Sequence, residues 1–213
     1  MFIVKINKSV LLTYLGIVFA VIAMYFSFTK IAFAEINYLR YSLIFIMFSG
    51  ICDMFDGKVA RMCKRTKEEK EFGIQLDSLA DTVNFLCAPV VIMLSLGMNS
   101  VIDLIVYCFF ILCGISRLGY FNVHASLDSP VKFYNGLPVT STSIVYPVIG
   151  LLHGHIPDCT FCTILLIVTA LVALLFVFRV KIPKFKGSAY VIIPILAIIL
   201  AILLLVIRWN IMI

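Results

Sequence analysis

Long apolar runs follow one another along almost the whole chain, and this feature limits the possible fold more than any other. The runs that approach membrane-spanning length are residues 10–28, 37–55, 79–98, 101–118, 138–153, 160–178 and 189–207. A helix needs about 20 predominantly apolar residues to cross a bilayer. The runs therefore predict an all-α polytopic membrane protein with about seven transmembrane helices, in a range of six to eight. The fifth run is the weakest, because it contains Pro138, Pro147 and Gly150.

Charged residues are scarce and unevenly placed. They make up 13% of the 213 residues, against about 25% in a soluble domain, which suits a single membrane-embedded domain over residues 1–213. If the N-terminus is cytoplasmic, the inner segments hold 14 of the 17 lysine and arginine residues, and only Lys30, Arg40 and Arg208 lie outside. This asymmetry follows the positive-inside rule. We therefore expect a multi-pass protein of the cell membrane with a cytoplasmic N-terminus and no nucleic-acid partner.

Four aspartates stand where the second apolar run ends and the third begins. Asp53 and Asp56 are three positions apart and Asp77 and Asp81 are four apart, so each pair lies on one face of a helix. The run KRTKEEKEF separates the pairs, and we interpret it as a solvated loop that touches anionic lipid headgroups. Helices joined by a short loop are usually neighbours. We expect the four carboxylates to converge at the inner face of the membrane.

Converging carboxylates indicate a metal site, because they repel one another unless a cation lies between them. Mg²⁺ is usually bound by one or two carboxylates, waters and substrate phosphates, and four carboxylates suggest two ions that bridge a reacting phosphate. Gly57 and Gly73 would let a backbone or nucleotide approach closely. Ala60 would keep the same face shallow, and Arg61 is placed to hold a phosphate through two hydrogen bonds.

Simpler interpretations of these polar residues stay open. The aspartates could only cap and solvate helix ends, since acids are favoured in a first turn, where Asp77 and Asp81 would lie. The seven cysteines are interpreted as small buried hydrophobic residues. The CTFC pair at 159–162 and the histidines at 153–155 also offer ligands for a zinc site.

The acidic segment resembles the signature of the CDP-alcohol phosphatidyltransferases, which reads D-x2-D-G-x2-A-R and, after a spacer, G-x3-D-x3-D. Segment 53–81 matches every specified position: Asp53, Asp56, Gly57, Ala60, Arg61, Gly73, Asp77 and Asp81. Residues 62–72 form a spacer that is longer than is usual in this family. The resemblance implies the helical bundle of that family and an integral-membrane transferase.

Later stretches resemble the bacterial type II phosphatidylserine synthases, in which R-L-x-R-F-N and G-L-P stretches follow the signature. The corresponding stretches here are SRLGYFNV, YNGLPVTST and RVKIPKF. Arg117, Leu118, Phe121 and Asn122 match, whereas Tyr120 stands where an arginine is common. Together with the signature, the resemblance covers residues from about 40 to 186.

The resemblance implies that the hydroxyl of L-serine displaces CMP from CDP-diacylglycerol, with two divalent ions, Mg²⁺ or Mn²⁺, as cofactors. The metal ligands would be four aspartates, of which the last is also the catalytic base: Asp53, Asp56, Asp77 and Asp81. The CDP-binding residues would be Asp53, Asp56, Gly57, Ala60, Arg61, Gly73 and Asp77. The candidates for the acceptor or a lipid phosphate are Arg117, Asn122, Lys132, Tyr134 and Asn135.

Other functions stay open beside this one. Within the same family, the acceptor could be glycerol 3-phosphate or an inositol phosphate, or the donor could be an archaeal-type lipid. A cation transporter that uses the same carboxylates is a remote alternative, because transporters usually place their site near the bilayer midplane. We further expect a homodimer embedded in the lipid bilayer.

Overall fold

The computed structural model describes residues 8–33, 36–125, 133–179, 181–183 and 189–207. The helices found there are α1 Leu11–Phe33, α2 Ile36–Met62, α3 Lys67–Asp81, α4 Ala88–Ser95, α5 Val101–Ala125, α6 Thr142–Gly150, α7 Asp158–Val177 and α8 Ala189–Val206. A π-helical segment, Thr82–Cys87, joins α3 to α4. The predicted helical bundle is confirmed, with one addition: the short strands β1 Phe133–Asn135 and β2 Lys181–Pro183 form an antiparallel pair.

Several helices have the length and composition that a bilayer requires. Four in the described part of the chain are long and apolar enough to cross a membrane: Leu11–Thr29, Lys67–Ser95, Val101–Val123 and Asp158–Val177. Two shorter apolar helices accompany them, Val139–Gly150 and Ile192–Val206. Large apolar side chains such as Ile105 and Leu112 of α5 and Leu171 of α7 point out of the bundle, as contact with lipid requires. The chain is therefore a polytopic membrane protein.

Small residues bring α1 and α2 close together. Ala20 and Ala23 of α1 are completely buried, and the hydroxyl of Ser27 donates a hydrogen bond of 2.9 Å to that of Ser42. Membrane helices have little hydrophobic attraction for one another, so close packing of small residues and buried hydrogen bonds hold them together. This contact fixes α1 beside the helix that carries the first half of the signature.

Aromatic residues fill the centre between α5, α6 and α7. The rings of Phe110 and Phe176 lie 5.6 Å apart between centroids, and both are fully buried. The hydroxyls of Tyr146 and Thr169 are hydrogen-bonded at 3.1 Å, which satisfies the buried polar end of the tyrosine. These contacts give α5 a fixed position, and α5 carries Arg117.

One end of the bundle is closed by the β1–β2 pair and the turn that follows it. Gly136 has a φ of +82°, and a Cβ atom built there would lie 2.6 Å from the carbonyl oxygen of Phe176. The N–H of Leu137 donates to the carbonyl of Leu175 at 2.9 Å. Only glycine adopts this conformation without strain and without a clash. The GLPVTST stretch is thereby held against the end of α7.

The other end of the bundle is closed by Arg40 near the start of α2. Its guanidinium donates to the carbonyl of Ile207 at 2.7 Å and to that of Leu205 at 3.3 Å. These carbonyls belong to the end of α8, where the helix leaves them without an intrahelical partner. The start of α2 and the end of α8 therefore share one side of the bundle.

Two predicted helix positions are corrected. The third helix begins at Lys67 rather than 79, because the Thr66 hydroxyl and the Glu69 carboxylate form a reciprocal capping box. Asp77 and Asp81 thus lie ten and fourteen residues after the start of α3, and the interpretation of these acids as first-turn caps is wrong. The helix that carries Arg117 continues to Ala125 instead of ending near residue 118. Hydropathy marks the part of a helix that lies in hydrocarbon, not the point at which the helix ends.

Candidate active site

The structure brings the signature aspartates of two helices together. One carboxylate oxygen each of Asp53 and Asp56 on α2 and of Asp77 on α3 lies within 4.8 Å of the others. Asp81 lies one turn further along α3, beside Asp53 and facing Asp77. The positions three and four apart in the sequence are what turn these side chains toward a shared space. All four predicted acids therefore form one cluster.

Two of the four acids, Asp56 and Asp81, are buried and the other two are half-buried, so the negative charge of the cluster needs a partner. Asp56 is 7% exposed and Asp81 is 8% exposed, and Oδ1 of Asp81 is buried without a hydrogen bond. Among the described residues, no lysine or arginine forms an ion pair with any of the four acids. Burying a carboxylate is costly unless the charge is paired or bound to a metal. The oxygen-only donor set and its spacing fit one or more hard divalent cations.

Thr13 is a part of the site that the sequence did not reveal. Its hydroxyl donates a buried hydrogen bond of 2.8 Å to Oδ2 of Asp56. The approach of α1 is close here, since a Cβ atom on Gly16 would lie 3.4 Å from Nδ2 of Asn84 and 3.4 Å from Cβ of Cys52. The only hint in the sequence was a polar residue inside an apolar run, and such residues usually face the interior of a bundle.

A cavity of about 610 Å³ opens beside the acids, and we call it the aspartate cavity. Its walls come from α2, α3, α5, α6 and α8 and from the GLPVTST stretch. Its polar lining is Asp53, Asp56, Gly57, Arg61, Asp77, Ser78, Asp81, Arg117, Asn122, Thr140, Ser141 and Ser143. The rest of the lining is largely apolar, so the cavity offers charged side chains together with apolar walls that suit an acyl chain.

Arg117 and Asn122 of α5 reach this cavity, as predicted for the acceptor candidates. Arg117 is 8% exposed, and its guanidinium carbon lies 4.5 Å from the centre of the Phe121 ring. Asn122 accepts a hydrogen bond of 2.8 Å from the Ser78 hydroxyl of α3. Asn122 therefore lies on α5 and not in the loop that the end of the fourth apolar run at residue 118 would imply. Lys132 and the side chains of Tyr134 and Asn135 lie outside the described residues.

The remaining signature residues are divided between two places. Gly57 lines the aspartate cavity, Ala60 lines a neighbouring cavity near the spacer, and Arg61 lines both. A Cβ atom at Gly73 would lie 3.4 Å from Nη1 of Arg65, so this glycine makes room for an arginine of the spacer. Most predicted CDP-binding residues thus line the aspartate cavity. Gly73 does not line it and lies beside Arg65 of the spacer instead.

The alternative zinc site does not form. Within the described ranges, the cluster of histidine, cysteine or acidic residues that could hold a metal is that of Asp53, Asp56 and Asp77. The seven cysteines are free thiols, and only two of them, Cys52 and Cys113, are fully buried. The expectation that the cysteines are buried is therefore wrong for Cys108 and Cys159, which are exposed, and holds only in part for the three half-buried ones.

Comparison with known proteins agrees with this geometry. The sequence profile named CDP-alcohol phosphatidyltransferase matches residues 7–156, more than half of the chain. A CDP-diacylglycerol–serine O-phosphatidyltransferase of Saccharomyces cerevisiae is 36% identical over 112 residues, which cover 50% of this chain and 40% of the relative. A protein of the same name from Methanocaldococcus jannaschii is 32% identical over 151 residues, 71% of this chain and 67% of the relative. An archaetidylserine synthase of Methanothermobacter thermautotrophicus is 33% identical over 107 residues, 50% of this chain and 44% of the relative. The chain thus spans less than half the length of two of these relatives.

Proposed function

The chain belongs to the CDP-alcohol phosphatidyltransferase family, and from that premise we propose that it transfers the phosphatidyl group of CDP-diacylglycerol to the hydroxyl of L-serine. The products would be phosphatidylserine and CMP. One observation carries the proposal: the signature acids share a cavity with Arg117 and Asn122, two residues of the SRLGYFNV stretch. The names of the three relatives, which all denote serine-dependent synthases, support the same acceptor.

The acids would hold the cofactors. Asp53, Asp56 and Asp77, whose oxygens lie within 4.8 Å of one another, are the proposed ligands of two divalent ions, Mg²⁺ or Mn²⁺, with Asp81 as a further ligand. When bound, such ions would neutralise the negative charge that develops on the phosphate of the leaving CMP. Thr13 holds Asp56 in one orientation through its 2.8 Å hydrogen bond, as outer residues of metal sites commonly do.

Asp81 is the proposed base. A serine hydroxyl has a high pKa, so a carboxylate within hydrogen-bond reach assists its attack by taking the proton. The serine oxygen forms a bond to the phosphorus that carries the diacylglycerol, the bond from that phosphorus to the oxygen of CMP breaks, and the proton goes to Asp81. Oδ1 of Asp81 is buried and without a hydrogen bond, so it is available for this proton.

Two arginines would position the substrates. Arg61 lines the cavity beside Asp53 and Asp56 and would hold a phosphate of CDP-diacylglycerol. Arg117 would hold the carboxylate of serine. Its guanidinium lies over the Phe121 ring at 4.5 Å, and such stacking fixes the plane of the fork that carboxylates accept.

The proposed location is the cytoplasmic face of the cell membrane. The end of α2, the spacer and the start of α3 carry most of the basic residues near the site, and positive charge is typical of cytoplasmic segments. This placement gives water-soluble serine and a membrane lipid access to the same cavity. The homodimer stays a prediction, since the structure describes one chain.

The decisive experiment identifies the product. Purified full-length chain would be incubated with CDP-diacylglycerol and, in separate reactions, with L-serine, glycerol 3-phosphate or inositol phosphate, and the lipid product identified by mass spectrometry. We expect phosphatidylserine and serine-dependent release of CMP. Faster release of CMP with glycerol 3-phosphate would overturn the serine assignment.

CDP-archaeol in place of CDP-diacylglycerol would test the donor, because one relative is named for an archaeal lipid. A protein that binds neither donor would revive the transporter alternative.

A further inference from the structure

A second cavity lies at the end of α2, next to the aspartate cavity, and Arg61 lines both. It has a volume of about 490 Å³ and is lined by Ala60, Arg61, Cys63, Lys64, Arg65 and Lys70. We call it the spacer cavity, because most of its lining comes from residues 62–72, the segment between the two halves of the signature. Four of its six lining residues are cations, so its interior favours an anion.

Two of the three acids of the same segment are directed elsewhere. Glu69 accepts a hydrogen bond from the N–H of Thr66 at 2.8 Å as part of the capping box, and Glu71 lies 3.9 Å from Lys67 on the exposed face of α3. None of the described residues that line the spacer cavity carries a carboxylate. Within the described residues, its four cations make no ion pair with an acid. The positive charge of the cavity is therefore not neutralised by nearby side chains.

Arg65 gives the cavity a directional donor. Its Nε atom is buried and makes no hydrogen bond, and its Nη1 atom lies 3.4 Å from the position that a Cβ of Gly73 would take. A buried donor without a partner is costly. A phosphate oxygen would satisfy it, since guanidinium groups bind phosphate side-on through paired N–H groups. This observation is independent of the charge count, because a solvated loop would leave such an atom in contact with water.

The position of the spacer cavity suits a lipid headgroup better than a soluble anion. Arg61 follows Asp56 by five residues on α2, which corresponds to about 7.5 Å along the helix axis. The cavity therefore lies just beyond the acids and past the apolar run of α2, at the depth where we expect the lipid headgroups. Lipid phosphates are concentrated at that depth, and basic segments next to a membrane attract anionic lipids.

We propose that the spacer cavity binds the phosphate of an anionic phospholipid, separately from the donor that reacts at the aspartates. Arg65 and Lys64 hold the phosphate, and Lys70 closes the cavity from α3. Because Arg65 also contacts Gly73, one turn before Asp77, an occupied cavity fixes the start of the segment that carries the second acid pair. The spacer is then a lipid-sensing element and not only a connection.

The test measures lipid binding without catalysis. Full-length protein in neutral detergent would be titrated with dioleoyl-phosphatidylglycerol, or with the corresponding phosphatidylcholine, and bound lipid counted by native mass spectrometry. Arg65→Gln should raise the Kd for phosphatidylglycerol about tenfold, the usual effect of losing a hydrogen bond to a charged group. Lys64→Gln, at an exposed position where folding is not at risk, should raise it severalfold.

Lys67→Gln is the matched control. It removes one positive charge from the same segment, but Lys67 does not line the cavity, so the Kd should stay within about twofold of the original value. Equal effects of Arg65→Gln and Lys67→Gln would overturn the proposal and leave only diffuse surface attraction. Displacement of the lipid by millimolar inorganic phosphate would make a soluble phosphate the ligand, and displacement by CDP would assign the cavity to the nucleotide site. We expect neither to displace it.

Discussion

The hydroxyl of Thr13 donates a hydrogen bond of 2.8 Å to Oδ2 of Asp56, a residue 43 positions later in the chain. The first helix lies outside the signature, yet this contact makes it part of the acidic site. The bond occupies one carboxylate oxygen of Asp56 and thereby fixes how the other can be presented to a cation.

Replacing Thr13 by valine should weaken metal binding. The change preserves shape and burial but removes the donor, and losing such an outer contact typically costs about tenfold to a hundredfold in metal affinity or activity. The measurement is the Mn²⁺ concentration that gives half-maximal CMP release. Thr13→Ser should restore most of the affinity. Thr29→Val is the control on the same helix, because Thr29 is equally buried and bonds only to backbone carbonyls of Tyr25 and Phe26. A similar loss in both valine variants would return Thr13 to a packing role.

Removing divalent metal should abolish turnover, and adding Mg²⁺ or Mn²⁺ back should restore it. The reason is the converging group of Asp53, Asp56 and Asp77, of which Asp56 is buried and the others half-buried, and which has no cationic side chain bound to it among the described residues. The measurement is serine-dependent release of CMP before chelation, in excess chelator and after readdition. Full turnover in excess chelator would contradict the assignment of these acids as metal ligands.

Asp77→Asn and Asp81→Asn should both abolish turnover but differ in substrate binding. Asp77 belongs to the group of converging oxygens, so its loss should weaken binding of CDP-diacylglycerol through lost metal. Asp81→Asn should leave much of the CDP-diacylglycerol binding intact if the main task of Asp81 is to take the proton. Binding to each purified variant would be measured directly. Asp158→Asn is the matched control and should be active, because Asp158 is an exposed residue at the start of α7. A wild-type rate for Asp81→Asn would rule out Asp81 as the base.

Arg117→Ala and Arg117→Lys should raise the KM for serine. A charged hydrogen bond of this kind contributes about 1.5–3 kcal/mol, which corresponds to roughly tenfold to a hundredfold. The KM for serine should be almost as high in Arg117→Lys as in Arg117→Ala, because lysine lacks the planar guanidinium and cannot stack on Phe121 in the same way. Serine-dependent CMP release gives both constants, and the KM for CDP-diacylglycerol serves as the internal control. An unchanged serine KM in both variants would leave Arg117 as an anchor that orients the helix.

Gly136→Ala should destabilise the protein by about 2–5 kcal/mol, which combines strain at positive φ with crowding in a packed region. The new Cβ would lie 2.6 Å from the carbonyl oxygen of Phe176. Gly97→Ala separates the two causes, since Gly97 has a φ of +83° but no atom within 4 Å of the added Cβ. Gly97→Ala should lower the free energy of unfolding by only about 1–2 kcal/mol. Thermal unfolding in detergent provides the comparison, and equal Tm values for the two variants would exclude the clash as a cause.

The parts of the site that the sequence predicted are those fixed by local spacing. Asp53 and Asp56 share a helix face because they are three positions apart, and the short connection to Asp77 and Asp81 makes the two helices neighbours. The apolar runs likewise predicted the helices, because spanning length has a direct physical limit. In both cases the information lies within about thirty residues of chain.

The parts that the sequence did not predict depend on contacts between distant residues or on polar helix ends. Thr13 looks like any threonine in an apolar run until α1 packs against α2. The start of α3 at Lys67 depends on the Thr66–Glu69 capping box, which hydropathy does not register. The pairing of Tyr134 with Ile182 in β1 and β2 joins residues in loops that have no strand-like pattern of useful length.

The π-helical segment Thr82–Cys87 sets a difference in phase between the two halves of the Lys67–Ser95 helix. A π turn contains one residue more than an α turn, and one residue corresponds to about 100° of rotation in an α-helix. A helical wheel drawn through the whole helix therefore misaligns the acids before the segment with the apolar residues after it. Because of the offset, the acidic face can meet water and substrate while Ile92 and Met93 of α4 remain buried. Deleting a single residue within 82–87 would remove this rotation. The helix could then either direct the acids toward the cavity or bury its apolar residues, but not both.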